Sequence, residues 1–181
     1  MAIWIGVAVL VIAAALVFIG TRPDNFRIER SALIGAPAGA IFPMINDFHQ
    51  WVRWSPWEKV DPNMQKTFEG ASAGLGAVYS WSGNSKAGSG RITMTESRPD
   101  KLVAIKLEFF KPFAATRQGR FLLVPSAGGT QVTWSMEGKN NWMGKVMSPF
   151  TDGMVGKEFE KGLANLNVAA QIVEKRSGQS A

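Results

Sequence analysis

Cysteine is absent from the 181-residue chain, and histidine occurs once, at His49. Without cysteine there is no disulfide, no thiolate nucleophile and no Cys-based metal site. With one histidine, neither a multi-histidine zinc site nor a relay between two histidines can be built. Charge is also scarce: Asp, Glu, Lys and Arg make up 19% of the residues, against roughly 25% in typical soluble chains. The net charge of +6 is spread over single bases such as Arg22, Arg27, Arg30, Arg53, Lys59 and Lys66. Scattered bases make a solvated surface, not the basic stripe of a nucleic-acid binder, so no nucleic-acid partner is expected.

What the chain has in quantity is apolar surface, 46% of its residues, and seven tryptophans. Its first twenty residues carry no charged side chain, and Ala2 to Gly20 runs AIWIGVAVLVIAAALVFIG. Nineteen helical residues extend about 28 Å, near the roughly 30 Å of bilayer hydrocarbon. Trp4 lies near one end, and no cleavage-site pattern follows the run, which argues against a removed signal peptide. Residues 1–21 are therefore expected to anchor the chain as one transmembrane helix through residues 2–20. Arg22, Arg27 and Arg30 after the span would place the remainder on the cytoplasmic side.

Residues 22–176 read as one domain and residues 177–181 as a frayed tail. A strand-like stretch, 26–35, precedes a short helix opened by Ala36-Pro37 and limited by Pro43. A second short helix follows over 47–55, with Asp47 as its N-cap and Phe48, Trp51 and Ser55 on one face. Six stretches with period-two alternation come next, at 64–70, 76–83, 90–97, 101–110, 117–124 and 130–138, separated by turn-rich connections. From Ser148-Pro149 onward, Phe150, Met154, Val155, Phe159, Leu163, Leu166 and Ala170 recur at three- and four-residue steps, which predicts a long amphipathic helix beginning near Pro149. Gly153, Gly156 and Gly162 interrupt it, each unfavourable by about 1 kcal/mol relative to Ala, so close packing or room for a ligand is expected there.

This order predicts an α+β helix-grip fold: a curved antiparallel sheet of six or so strands around a long C-terminal helix, with two short helices after the first strand. A narrow helix does not fill a wide curved sheet, so an internal cavity is expected. Trp51, Trp54 and Trp57, spaced by three, are candidates for an aromatic rim. Tyr79, Trp81, Met94, Phe109, Trp134 and Met136 fall on apolar strand faces and are candidates for its lining. No catalytic group stands out: His49 has no evident substrate or tuning partner, and Glu58, Glu96, Glu108 and Arg120 read as solvated unless one of them is buried to orient a ligand. No metal or cofactor is expected.

The stretches 26–59, 74–84, 90–109, 129–138 and 156–166 together resemble the SRPBCC superfamily of START-like, helix-grip proteins, and within it the bacterial polyketide cyclase/dehydrase family. The pattern of strand, Ala-Pro, Phe and Asn-Asp-Phe followed by tryptophans carries the likeness. The resemblance implies the fold and a hydrophobic cavity, and it implies no particular reaction. The expected function is binding of a lipid, isoprenoid or aromatic metabolite. The alternatives are a polyketide cyclase or dehydratase, or a module whose groove takes a protein partner.

Overall fold

The computed structural model describes residues 2–140 and 142–178, at some positions of the first and last helices through the backbone alone. Helix α1 is Ala2–Gly20, β1 is Asn25–Ile34 and α2 is Ala38–Asn46. Two 3-10 turns follow, Phe48–Arg53 and Pro56–Lys59. Strands β2 (Gln65–Gly70), β3 (Ala77–Ser82), β4 (Ser89–Arg98), β5 (Leu102–Lys111), β6 (Ala115–Ser126) and β7 (Gly129–Lys139) then lead to α3, Trp142–Gly178. The strands form one antiparallel sheet in the order β1-β7-β6-β5-β4-β3-β2. The α+β helix-grip architecture is thus as expected, with seven strands rather than about six.

The alternation read in the sequence becomes the inside and outside of this sheet. On β7, Val132 and Trp134 are buried, while Gln131 and Thr133 alternate with them at half exposure. On β5, Val103 and Ile105 are buried on the inner side. Register shifts between Ser89 and Gly90 and between Met94 and Glu96 are the kind of irregularity that bends a sheet and increases its twist. Gly90 at the first shift has no side chain, and the Trp81 ring occupies the space a Cβ would need.

The short helices are tied to each other by tryptophan. Trp51 Nε1 donates to the Ile45 carbonyl and Trp54 Nε1 to the Met44 carbonyl, both at 2.9 Å. These are carbonyls of the last turn of α2, which have no partner within the helix. Asp47 caps the following 3-10 turn as expected, its Oδ1 accepting from the His49 backbone at 2.9 Å. Burial pushes the Asp47 carboxyl up, but the bonds from His49 and Gln50 outweigh it and hold the group below its ordinary value.

Helix α3 packs along β1 and α2 with Phe159, Leu163, Leu166 and Ala170 buried. It does not start near Pro149. Its helical backbone begins at Trp142, so Ser148 is not a cap and Pro149 lies within the helix. A proline inside a helix removes only one i−4 bond directly. Here the upstream turns are held by contact with α1 and by Lys145, whose Nζ pairs with Asp24 at 2.6 Å. The tail expected at 177–181 is helical to Gly178, and 179–181 lie outside the described residues.

The apolar run 2–20 is helical throughout, but the membrane assignment is corrected. Among the described residues, no helix is long and apolar enough to cross a membrane. The single-pass location, and the cytoplasmic placement that rested on it, are withdrawn.

The three helix glycines separate by their surroundings. Nothing lies within 4 Å of a Cβ built at Gly153, the Arg30 guanidinium covers Gly156, and Gly162 faces the Trp134 ring and Pro56. Over Gly156, Arg30 reaches Glu160 at 2.8 Å and Asp152 at 3.0 Å, a link from β1 to α3. Gly153→Ala is expected to stabilise the fold by about 0.5–1 kcal/mol through helix propensity alone, read as a higher denaturation midpoint at unchanged slope.

Candidate functional site

Between the concave face of the sheet, α3 and the chain from Trp51 to Met64 lies a cavity of about 290 Å³. Its walls are built from the strand alternation: Tyr79 and Trp81 from β3, Phe109 from β5, Trp134 and Met136 from β7. Trp51 and Trp57 close it from the 3-10 turns, and Val155 and Phe159 from α3. Seven of the nine candidates from the sequence therefore surround one space. Trp54 and Met94 do not. Each is only 1% exposed and belongs to the core behind the cavity, with Trp54 held against Phe121 and Trp134.

Trp51, Trp54 and Trp57 part company because the chain changes direction at Ser55, between the two 3-10 turns. Trp57 alone of the three is substantially exposed, at 39%. Its ring meets Trp134 edge-on at 5.4 Å, and Trp134 in turn stacks on Phe159 at 4.2 Å with the planes 5° apart. On the opposite side, Tyr79 stacks on Trp81 at 6.2 Å and Trp81 meets Phe109 edge-on at 5.8 Å. Trp81 Nε1 donates to the Ala87 carbonyl at 3.0 Å, so its polar edge is satisfied by the β3–β4 hairpin and its face is left for the cavity.

The same hairpin is anchored by a buried carboxylate. Asp61 accepts from the Asn84 backbone at 2.7 Å and from the Asn63 backbone at 3.0 Å. These bonds fix Lys86 and Ala87 at the cavity wall.

One wall is polar. The Tyr79 hydroxyl donates to Glu58 Oε1 at 2.9 Å, and Lys66 Nζ pairs with Glu58 Oε2. Burial, and then the neighbouring Glu58 carboxylate, push the Tyr79 phenol far above its ordinary value, so it stays protonated and donates. Of Glu58, Glu96, Glu108 and Arg120, expected to be solvated unless one is buried, Glu58 is the buried one, with its side chain only 7% exposed. The signal that could have found the cluster is the register of two strands: Lys66 pairs opposite Trp81 and Phe68 opposite Tyr79, and directly opposed residues share a sheet face. Ile105, Leu107 and Phe159 also line the cavity, and they belong to apolar stripes already visible in the sequence.

His49 stands apart from the cavity. Its ring bonds Asp47 Oδ1 at 2.8 Å and stacks on Phe68 at 4.1 Å, at a half-exposed position.

The model of a family described as polyketide cyclase / dehydrase and lipid transport matches residues 25–171. The chain belongs to this family. This agrees with the SRPBCC resemblance of the sequence. No curated protein matches the chain. Among solved structures, a protein of unknown function from Staphylococcus aureus is 13% identical with a TM-score of 0.62, covering 83% of this chain and 96% of that one. A Mesorhizobium loti protein is 13% identical with a TM-score of 0.60, covering 81% and 97%. The di-domain ARO/CYC protein BexL from the BE-7585A biosynthetic pathway is 17% identical with a TM-score of 0.62, covering 92% of this chain and 59% of that chain. At these identities the likeness concerns the fold.

Proposed function

We propose that residues 22–176 of this polyketide cyclase/dehydrase family member bind a hydrophobic small molecule, such as a lipid, an isoprenoid or an aromatic metabolite. The observation that carries the reading is the cavity of about 290 Å³, walled by Trp51, Tyr79, Trp81, Phe109, Trp134 and Met136. Enclosed spaces with apolar, aromatic walls and few polar groups hold apolar ligands. Trp57 at the exposed edge of the same wall would serve as the rim. The reading needs no metal or cofactor and no nucleic-acid partner.

A second reading, a cyclase or dehydratase acting on a bound polyketide-like substrate, draws on one observation: ionisable Glu58 and Tyr79 line the same cavity. Native mass spectrometry of the protein purified from its own host tests both. A retained apolar molecule of unaltered mass supports binding, and conversion of that molecule on incubation supports the enzyme.

Filling the space is the direct check on its use. Leu107, from β5, lines the cavity, and Leu107→Trp places an indole there. The neutral fluorophore N-phenyl-1-naphthylamine is expected to bind the wild type, and Leu107→Trp is expected to weaken that binding at least tenfold, followed by fluorescence titration. Equal affinities in both proteins would sink the cavity as the binding site.

A further inference from the structure

We infer that Glu58 is the recognition point of the cavity and selects a hydrophobic ligand that carries a hydroxyl group. This rests on the cavity being a ligand site, and deepens that reading by naming the chemistry at one end of the molecule held there.

An ionised carboxylate offers about four lone-pair directions and no donor. One of the Glu58 oxygens is engaged by the Tyr79 hydroxyl and the other by Lys66, which leaves acceptor capacity on a side chain that is almost wholly buried and lines the cavity. Because the Tyr79 hydrogen is committed to Glu58, the phenol oxygen too can only accept from the cavity. Lys66 supplies the counter-charge on the second Glu58 oxygen, and the strand register puts it on the inner face beside Tyr79.

Glu58 and Tyr79 thus face a ligand as acceptors, and a ligand group that meets them must bring a proton. A hydrocarbon brings none and leaves a buried acceptor unpaired. A carboxylate brings lone pairs against lone pairs. A hydroxyl donates to Glu58, and its own oxygen can be met by Ser55, a buried residue that also lines the cavity and whose side chain makes no capping bond. Ser55 immediately precedes the 3-10 turn Pro56–Lys59 that carries Glu58, and both residues line the cavity.

The test uses three probes of one skeleton: naphthalene, 2-naphthol and 2-naphthoate, titrated against the whole protein by quenching of its tryptophans. Wild type is expected to bind 2-naphthol about tenfold more tightly than the other two, the scale of a hydrogen bond to a charged acceptor. Glu58→Gln is expected to reduce that preference to within about twofold. Tyr79→Phe, which frees a Glu58 oxygen while keeping the ring, is expected to raise it further. If Glu58→Gln does not fold, Tyr79→Phe decides alone: a raised preference supports the inference, and an unchanged or lost preference overturns it. Three probes binding equally, naphthoate binding best, or a preference that survives Glu58→Gln would overturn the assignment while leaving the cavity as a ligand site. Binding of none of the three removes the ligand site and the inference with it.

Discussion

Trp134→Ala should destabilise the fold by about 3–5 kcal/mol, the range for removing a large aromatic side chain from a packed core. Trp134 is 4% exposed and is where the core and the cavity meet. Its ring stacks on Phe159 at 4.2 Å, lies 4.7 Å from Phe121, and takes the edges of Trp54 and Trp57 at 5.6 and 5.4 Å. Deleting it removes the apolar burial of an indole and unstacks the residue through which α3 leans on β7. Because one side of the ring already borders empty space, neighbours can relax into the gap only by disturbing the aromatic wall. Chemical denaturation should show the loss as a lower midpoint at unchanged slope. A loss below about 1 kcal/mol would mean that the aromatic cluster is not part of the cooperative core. The same variant should accept bulkier apolar probes than the wild type, since the space it opens joins the cavity.

The difference between Trp134 and Trp54 shows what a sequence can and cannot carry. Strand alternation put Trp134 and Met136 on one face because a side-chain period of two is fixed by backbone geometry, and that face is the inner one. The same rule gave Tyr79 with Trp81, and Phe109 with Ile105 and Leu107. For Trp51, Trp54 and Trp57 the spacing of three was equally plain, but which of them meets the cavity depends on the change of direction at Ser55 and on the carbonyls of α2 that Trp51 and Trp54 bind. Those are tertiary facts. Met94 was misplaced for a related reason: it shares the face of Ile92, but Ile92 reaches the cavity whereas Met94, at the second register shift, is packed into the core.

Helix α3 illustrates a rule outvoted by context. Ser-Pro is a good start for an isolated helix, yet the backbone is already helical at Trp142, where α3 meets α1 and Lys145 pairs with Asp24. The Glu58–Tyr79–Lys66 cluster is legible only once β2 is set in register against β3, which no single stretch of sequence carries. Its members are 8 and 21 residues from Glu58, and only the β2–β3 register and the turn before β2 bring them together. Residues 2–20 show the opposite failure. Their composition was unambiguous and the helix formed, but length and hydropathy read from the chain alone gave a location that the described residues do not support.

Gly162→Val is expected to lower stability by about 3 kcal/mol, at the upper end of overpacking effects in cores. Helix propensity argues the other way, since glycine is the poorest non-proline helix former and almost any replacement should gain a few tenths of a kcal/mol or more. Local geometry decides the sign. A Cβ at position 162 would lie 2.7 Å from the Trp134 ring and 3.2 Å from Pro56 Cδ, and neither group is a flexible chain end. The Trp134 ring is held on its other faces by Phe121, Trp54 and Trp57, so relief must come from moving α3 away or pushing the indole into the cavity. A β-branched side chain in a helix has essentially one χ1 to choose and cannot turn aside. The consequence is a linked pair of readouts: the denaturation midpoint should fall, and the affinity for N-phenyl-1-naphthylamine should fall with it, because the displaced ring occupies the ligand's space. Gly153→Ala in the same helix supplies the contrast, with a midpoint that rises and an affinity that does not move. If Gly162→Val instead stabilises the protein, glycine at that position answers to no packing demand and α3 does not rest on Trp134 as described. If stability falls while the probe still binds with wild-type affinity, the helix has moved rather than the indole, and Trp134 is a wall of the core before it is a wall of the cavity.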